Sequence, residues 1–201
     1  MNSTVEKLAM LLRRFPGIGF KRAREMAEFL LKENPSFRKE LIDTIKELDE
    51  VKLCKDCFYY AEPAEDLCYI CSSSSRDRSV ICVVEDTESV DRIEETGAYT
   101  GLYHVLWGIV DMKKGQMPDP DKVERLMQRL STGEVKEVIL AMSATTEGEL
   151  TAEYIADEIR ERGINVKITT LARGISVGTE ITFASPETLA RAIEGRVSLD
   201  D

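Results

Sequence analysis

The sequence predicts an α/β protein, built on a mostly parallel sheet with helices and preceded by a helical region and a small cysteine-rich module. Three observations carry this prediction. The first 50 residues show helical periodicity, two C-x-x-C pairs follow, and from residue 79 onward short β-rich runs alternate with helical ones. Alternation of that kind is how parallel βαβ units read in sequence.

In the first region Val5, Leu8, Leu12 and Phe15 recur at helical spacing, as do Ala23, Met26, Ala27 and Leu30. Pro16-Gly17-Ile18-Gly19 interrupts them, because proline and glycine break helices and permit a tight hairpin. A third helix is expected after Pro35-Ser36, burying Leu41, Ile42, Ile45 and Leu48. After a serine run (Ser72 to Ser75), strands are expected at Ser79–Val84, Tyr103–Val110, Glu137–Met142 and Val166–Leu171. Between them Thr87 can cap a helix that stops near Gly97, and Asp119 with Pro120 can open another. A third runs from about Glu149 to Arg162 and stops at Gly163. The tail reads as a strand near Ile181–Phe183 and a helix with Ser185 as cap, Pro186 in the first turn and Gly195 past the end. The division expected is a helical region over 1–52, a cysteine module over 53–78, the α/β domain over 79–172 and an extension over 173–201.

The net charge of −10 is unevenly spread. Residues 1–50 hold 10 Lys/Arg against 9 Asp/Glu, residues 51–79 hold 4 against 5, and residues 80–201 hold 13 against 23. The acidity therefore belongs to the last part. Arg13, Arg14, Lys21, Arg22 and Arg24 form a run without an acid, so the total does not exclude nucleic acid as a partner. Nothing resembles a membrane span or a signal-peptide core, since the apolar stretch Leu8–Leu12 stops at Arg13. The expected location is the reducing cytoplasm, in association with the nucleoid.

Cys54-Lys55-Asp56-Cys57 and Cys68-Tyr69-Ile70-Cys71 are two knuckles separated by ten residues. Two residues between thiolates let one turn present both sulfurs to one ion, and two such turns complete a closed tetrahedral site. Two disulfides are the plain alternative, which a reducing compartment disfavours, and a redox pair would not need to be doubled. The expectation is one structural Zn²⁺ held by Cys54, Cys57, Cys68 and Cys71, with no open position for a catalytic water. Cys82, within Val80–Val84, reads as a small buried core residue.

Leu12, Phe15, Pro16-Gly17-Ile18-Gly19 and Ala23 follow a helix–hairpin–helix pattern. Gly17 and Gly19 let the hairpin approach another surface, and the start of the next helix offers amides to a phosphate oxygen. Arg13, Arg14, Lys21, Arg22 and Arg24 add charge there, and contacts of this kind read DNA backbone without its sequence. A plain turn whose Ile18 plugs a core would account for the glycines but not for the five bases. Such units also pair with each other, so dimer contact and DNA contact could share the element.

Glu85 ends the strand Val80–Val84, and Glu147-Gly148-Glu149 follows a later strand. Carboxylates at the C-terminal edge of a sheet are placed where ligands bind, although they also occur as solvated turn residues. The layout resembles a Toprim domain, whose catalytic members hold Mg²⁺ with a glutamate and a D-x-D pair. Glu85 matches the first, but the later position reads E-G-E.

The chain as a whole resembles the RecR family of bacterial recombination mediators. Leu12–Ala23 is similar to the family's helix–hairpin–helix, with Phe20 where proline is usual. The four cysteines match its zinc ligands. Arg76–Glu85, Thr96–Tyr99, Tyr103–Gly108, Glu147–Ala156 and Leu171-Ala172-Arg173-Gly174-Ile175-Ser176-Val177-Gly178 continue the match in order. Ser89 replaces a common aspartate, and Met142-Ser143-Ala144-Thr145 replaces T-N-P-T. The resemblance implies a dimer or tetrameric ring that clamps DNA and works with RecO and RecF to load the recombinase at gapped DNA. Glu85, Glu147 and Glu149 would then suit a basic partner such as RecO.

The competing reading is a Mg²⁺-dependent Toprim nuclease or topoisomerase-like enzyme. The only histidine, His104, lies in an apolar run and reads as packing. Tyr99 and Tyr103 could be proposed as nucleophiles, but enzymes of that type carry the tyrosine in a separate domain. A zinc-ribbon transcription factor would leave the α/β part unexplained. The expectation is therefore a non-enzymatic DNA-binding protein with no catalytic residue.

Overall fold

Ser3 fixes the start of helix α1 (Thr4–Leu12): its hydroxyl accepts from the Glu6 amide, and the Glu6 carboxylate accepts from the Ser3 amide. This reciprocal cap satisfies two of the donors that a helix start leaves without partners. In the computed structural model residues 3–172, 174–175 and 178–196 are described. The chain divides into two units, Met1–Val51 and Lys52–Asp201.

In the first unit α1 packs against α2 (Phe20–Lys32) through Ala9, Ala23 and Ala27, with Val5, Leu8, Leu12 and Ile18 half-buried around them. The small residues let the two backbones come close. Asn34 caps α3 (Pro35–Glu47) by accepting from the Phe37 amide, and a 3₁₀ turn follows at Leu48–Glu50. The third helix is where expected, but its burial is not. Leu41, Ile42, Ile45 and Leu48 are between 37% and 64% exposed, and Phe15 is exposed too. Fifty residues with three small buried alanines cannot enclose a second apolar face.

The second unit begins with the antiparallel pair β1 (Lys52–Leu53) and β2 (Tyr60–Ala61), then the single turn α4 (Tyr69–Ser72). Strand β3 (Asp77–Val84) leads into α5 (Thr87–Glu95), β4 (Gly101–Val105) and α6 (Pro120–Leu130). Strand β5 (Glu137–Leu140), α7 (Thr146–Glu161) and β6 (Lys167–Thr170) complete a four-stranded sheet of order β4-β3-β5-β6, parallel throughout. Its core is the buried end of β3, Ile81 to Val84, with Tyr103, Val105, Leu106, Leu126, Met127, Val138, Ile155 and Ile159. Each such large apolar side chain contributes about 1.5–3 kcal/mol through burial. Cys82 belongs to this core, where burial pushes its thiol up to about 12.

Several boundaries move, each for a local reason. The strand expected at Tyr103–Val110 runs from Gly101 to Val105, because Trp107 takes a positive φ of 53° that no strand accommodates. Asp86, not Thr87, caps α5, accepting from the Ser89 amide. Helix α7 starts three residues earlier than expected, at Thr146, since Thr145 accepts from the Gly148 amide. The strand expected at Ile181–Phe183 is instead a 3₁₀ turn, which runs into α8 (Pro186–Glu194), capped by Ser185. Of the segment 171–178, residues 173, 176 and 177 lie outside the described residues, as does 197–201. Among the described residues no helix is long and apolar enough to cross a membrane.

Candidate metal centre and nucleic-acid interface

The two knuckles bring Cys54, Cys57, Cys68 and Cys71 together, all buried, with their sulfurs within 4.8 Å of one another. A tetrahedral ion with bonds near ~2.3 Å needs sulfurs ~3.8 Å apart, so the donor set fits a closed four-thiolate centre. The backbone is arranged for negative sulfur: the Tyr59 amide points at Cys57 Sγ (3.4 Å) and the Cys71 amide at Cys68 Sγ (3.4 Å). Phe58, at the end of the first knuckle, holds a positive φ of 60°, which closes the turn. Four buried thiolates without a cation would repel one another. The hydrogen bonds among the sulfurs split them, holding the Cys57 and Cys71 thiols above the ordinary range and the Cys54 and Cys68 thiols below it. Among the described residues no other cluster of His, Cys, Asp or Glu is gathered this closely.

The module is held to the sheet by contacts that no local pattern announces. The Val105 amide donates to the Cys57 carbonyl (2.8 Å), and Trp107 Nε1 to the Phe58 carbonyl (2.8 Å). Arg125 donates to the Lys55 carbonyl (3.2 Å) and pairs with Asp56, while Arg78 donates to the Cys71 carbonyl (3.0 Å). Three of these four residues, Trp107, Arg125 and Arg78, donate through their side chains.

In the first unit the hairpin between α1 and α2 has the geometry expected of it. Gly17 takes a φ of 74°, and Gly19 is the N-cap of α2 with no side chain capping the helix. The first amides of α2 are thus left for an outside acceptor. Arg13, Arg14, Lys21, Arg22 and Arg24 are all exposed. Helical geometry, however, brings acids from just beyond the basic run onto two of them. Glu25 lies 4.0 Å from Lys21, and Glu28 accepts from Arg24 at 3.0 Å. Arg13 stacks over the Phe20 ring at 5.7 Å, so the position where proline is usual carries a cation–π contact instead.

Glu85, at the end of β3, and Ser143, just past β5, meet where the strand order reverses. That is the crevice at which open α/β sheets bind ligands. Here Ser143 fills the space, and Gly148 must remain a glycine. A Cβ there would lie 2.1 Å from the Ser143 carbonyl oxygen and 3.1 Å from Glu85 Oε1. Glu147 and Glu149 sit in the first turn of α7, favoured by the helix dipole. Their neighbours are basic: Lys113 lies 3.9 Å from Glu147, and Arg191 of α8 donates to Glu149. The three carboxylates therefore do not converge as a metal cluster; each is engaged by a separate group.

The side chains weighed for catalysis are locked. His104 is fully buried, its Nε2 against the Lys122 carbonyl (2.9 Å) and its Nδ1 accepting from Arg129 (3.2 Å). A carbonyl can only accept, which places the ring proton on Nε2. Burial, with Arg129 next, lowers its pKa to about 3. Tyr99 donates to the Leu102 carbonyl and Tyr103 to Glu94, and burial raises both hydroxyls well above the ordinary range. Glu94 also pairs with Arg76, a half-hidden ion pair that the sequence did not suggest.

Comparison with known proteins agrees with this architecture. Residues 79–170 match the Toprim domain. The chain is 43% identical to "Recombination protein RecR" of Chlorobaculum tepidum, covering 98% of each chain. It is also 43% identical to the protein of that name from Tropheryma whipplei (96% of each) and 41% identical to that from Dehalococcoides mccartyi (96% of this chain, 93% of the relative).

Proposed function

The chain belongs to the RecR family of recombination proteins, and from that premise we propose that it is a zinc-bearing, non-enzymatic mediator that binds DNA backbone and assembles into a clamp. The observation that carries the DNA reading is the hairpin. An uncapped helix start, a left-handed Gly17 and exposed Arg13, Arg14, Lys21 and Arg22 stand together on one turn. Gly19 and Arg24 complete the contact surface. Phosphate oxygens suit those donors, and binding through them is independent of sequence.

Self-assembly has separate support. The first unit leaves Leu41, Ile45, Leu48 and Phe15 exposed, more apolar side chain than an isolated helical unit keeps in water. A second copy covering that face gives the dimer from which a tetrameric ring is built. In this reading 1–52 binds DNA and pairs, 53–78 is the zinc finger, 79–172 is the Toprim domain and 173–201 is an extension. The four cysteines take Zn²⁺, which supplies a structural cross-link. Glu85, Glu147 and Glu149 receive a basic partner, RecO, with RecF as a further partner in the cytoplasm.

A Toprim-type nuclease remains the alternative. It finds no free base in His104 and no free nucleophile in Tyr99 or Tyr103, and the sheet edge lacks a D-x-D pair. Measuring mass in solution with and without a gapped duplex, alongside a Mg²⁺-dependent nicking assay on supercoiled DNA, tests the proposal. An oligomer that loads onto the duplex and yields no nicked product is expected. A monomer in both conditions, or nicking that tracks the protein, overturns it.

A further inference from the structure

The zinc module and the loop after β4 carry a row of aromatic rings that the function proposed above does not use. Trp107 meets Tyr60 edge-on (centroids 6.0 Å), Tyr60 meets Tyr59 (5.4 Å), and Tyr59 meets Tyr69 (6.0 Å). Burial does not explain the row. Trp107 is 41% exposed, Tyr60 45% and Tyr69 60%. The rings are nevertheless held in place. Trp107 keeps an uncommon positive φ while its indole N–H bonds the Phe58 carbonyl, and the Tyr59 hydroxyl donates to Asp91 Oδ1 at 2.6 Å. Thr87 at the start of α5 reaches the Tyr60 hydroxyl (3.4 Å). Rigid, exposed aromatic side chains lose little entropy when a partner covers them, so they make strong anchors.

Charge decides between the two kinds of partner that bind aromatic rows. Single-stranded nucleic acid would stack its bases, but its phosphates need a positive groove. The surroundings are negative instead. The segment Glu85–Glu95, which touches the row through Thr87 and Asp91, holds Glu85, Asp86, Glu88, Asp91, Glu94 and Glu95 against Arg92 alone. The stretch 52–78 adds Asp56, Glu62, Glu65, Asp66 and Asp77 against Lys52, Lys55, Arg76 and Arg78, so it brings no positive groove. Phe58, whose carbonyl holds the Trp107 indole, already takes a cation, with Lys122 Nζ 5.4 Å from its ring centroid. We propose that the Trp107–Tyr60–Tyr59–Tyr69 row is a docking surface for a protein segment bearing arginine or lysine side chains. Its cations lie on the ring faces, and the acidic segment around Asp91 attracts and orients it. Glu85 at the start of that segment also belongs to the glutamate set proposed above, but Asp91 and the four rings do not, so substitutions at Tyr60 and Asp91 test this surface independently of Glu147 and Glu149.

Trp107 is the only tryptophan in the chain, so its emission reports occupancy directly. The full-length zinc-loaded protein is titrated at low salt with a ten-residue peptide of alternating arginine and glycine, and in parallel with a twenty-nucleotide oligothymidylate. The peptide is expected to give a saturable emission change that weakens with added salt. Tyr60→Ala should weaken it about two- to fivefold, the scale of one exposed cation–π contact. Asp91→Asn keeps an acceptor for Tyr59 but removes the charge, and should weaken binding most at low salt. Unchanged zinc content in both variants separates this from misfolding. No emission change with the peptide overturns the proposal, as does a peptide response indifferent to both substitutions. An oligothymidylate response that Tyr60→Ala abolishes overturns it in favour of base stacking.

Discussion

Ser143 donates both its backbone amide (2.7 Å) and its hydroxyl (3.0 Å) to the carboxylate of Glu85, joining the ends of β3 and β5 where the sheet order reverses. The carboxylate is thereby oriented before any partner arrives. Ser143→Ala removes one charge-assisted bond at a partly solvated position and should cost about 1 kcal/mol. Gly148→Ala should cost more, about 1–3 kcal/mol, because the new Cβ strikes the Ser143 carbonyl and backbone must shift. Urea unfolding of both variants checks the order; a Gly148→Ala protein as stable as the parent contradicts the packing described.

Cys57→Ser should lower zinc content and soluble yield, since three thiolates no longer close the site. The Val105–Cys57 and Trp107–Phe58 bonds link that knuckle to the sheet, so chelation should also shift Trp107 emission. Elemental analysis of purified protein is the direct measurement. Metal-free protein that is equally soluble would refute the zinc assignment.

Alanine at Lys21, Arg22 and Arg24 should weaken binding to all DNA sequences alike. The slope of log affinity against log salt should flatten by roughly 0.7–0.9 per lost phosphate contact. The pairing of Glu25 with Lys21 and of Glu28 with Arg24 adds a converse expectation. Glu25→Gln with Glu28→Gln should tighten binding. An unchanged slope in the triple variant places DNA elsewhere.

His104 makes stability depend on pH. Its pKa falls from 6.5 to about 3 on folding, so between those values the unfolded chain binds more protons and stability drops as pH is lowered. From pH 7 to pH 5 the loss due to this group is about 2 kcal/mol. His104→Gln should flatten that part of the profile, measured as urea midpoints at the two pH values. A parent protein equally stable at both would contradict the buried neutral ring.

Glu147→Lys with Glu149→Lys should leave folding and DNA affinity near normal and weaken binding of labelled RecO, most visibly at low salt. The substitutions also set like charges against Lys113 and Arg191, so a circular dichroism melt accompanies the titration. Equal RecO affinity at low salt would leave these glutamates without the partner role.

Local order in this protein was legible in its residues alone. The paired C-x-x-C spacing, the Gly17 hairpin, the caps Asp119 and Ser185 and the alternation of strands and helices act within a few residues, where periodicity and turn chemistry leave a trace. What only the tertiary structure decided lies further apart. Trp107 and Phe58 are separated by 49 residues, Ser143 and Glu85 by 58, and Arg125 and Asp56 by 69. No period relates such partners: Glu85 reads as a sheet-edge carboxylate, but nothing near it in the chain announces Ser143 as its donor. The same holds for α3, whose apolar spacing marks a helix face but not what covers it. Leu41 and Ile45 remain exposed because burial depends on the neighbours that the fold supplies, and the first unit supplies too few.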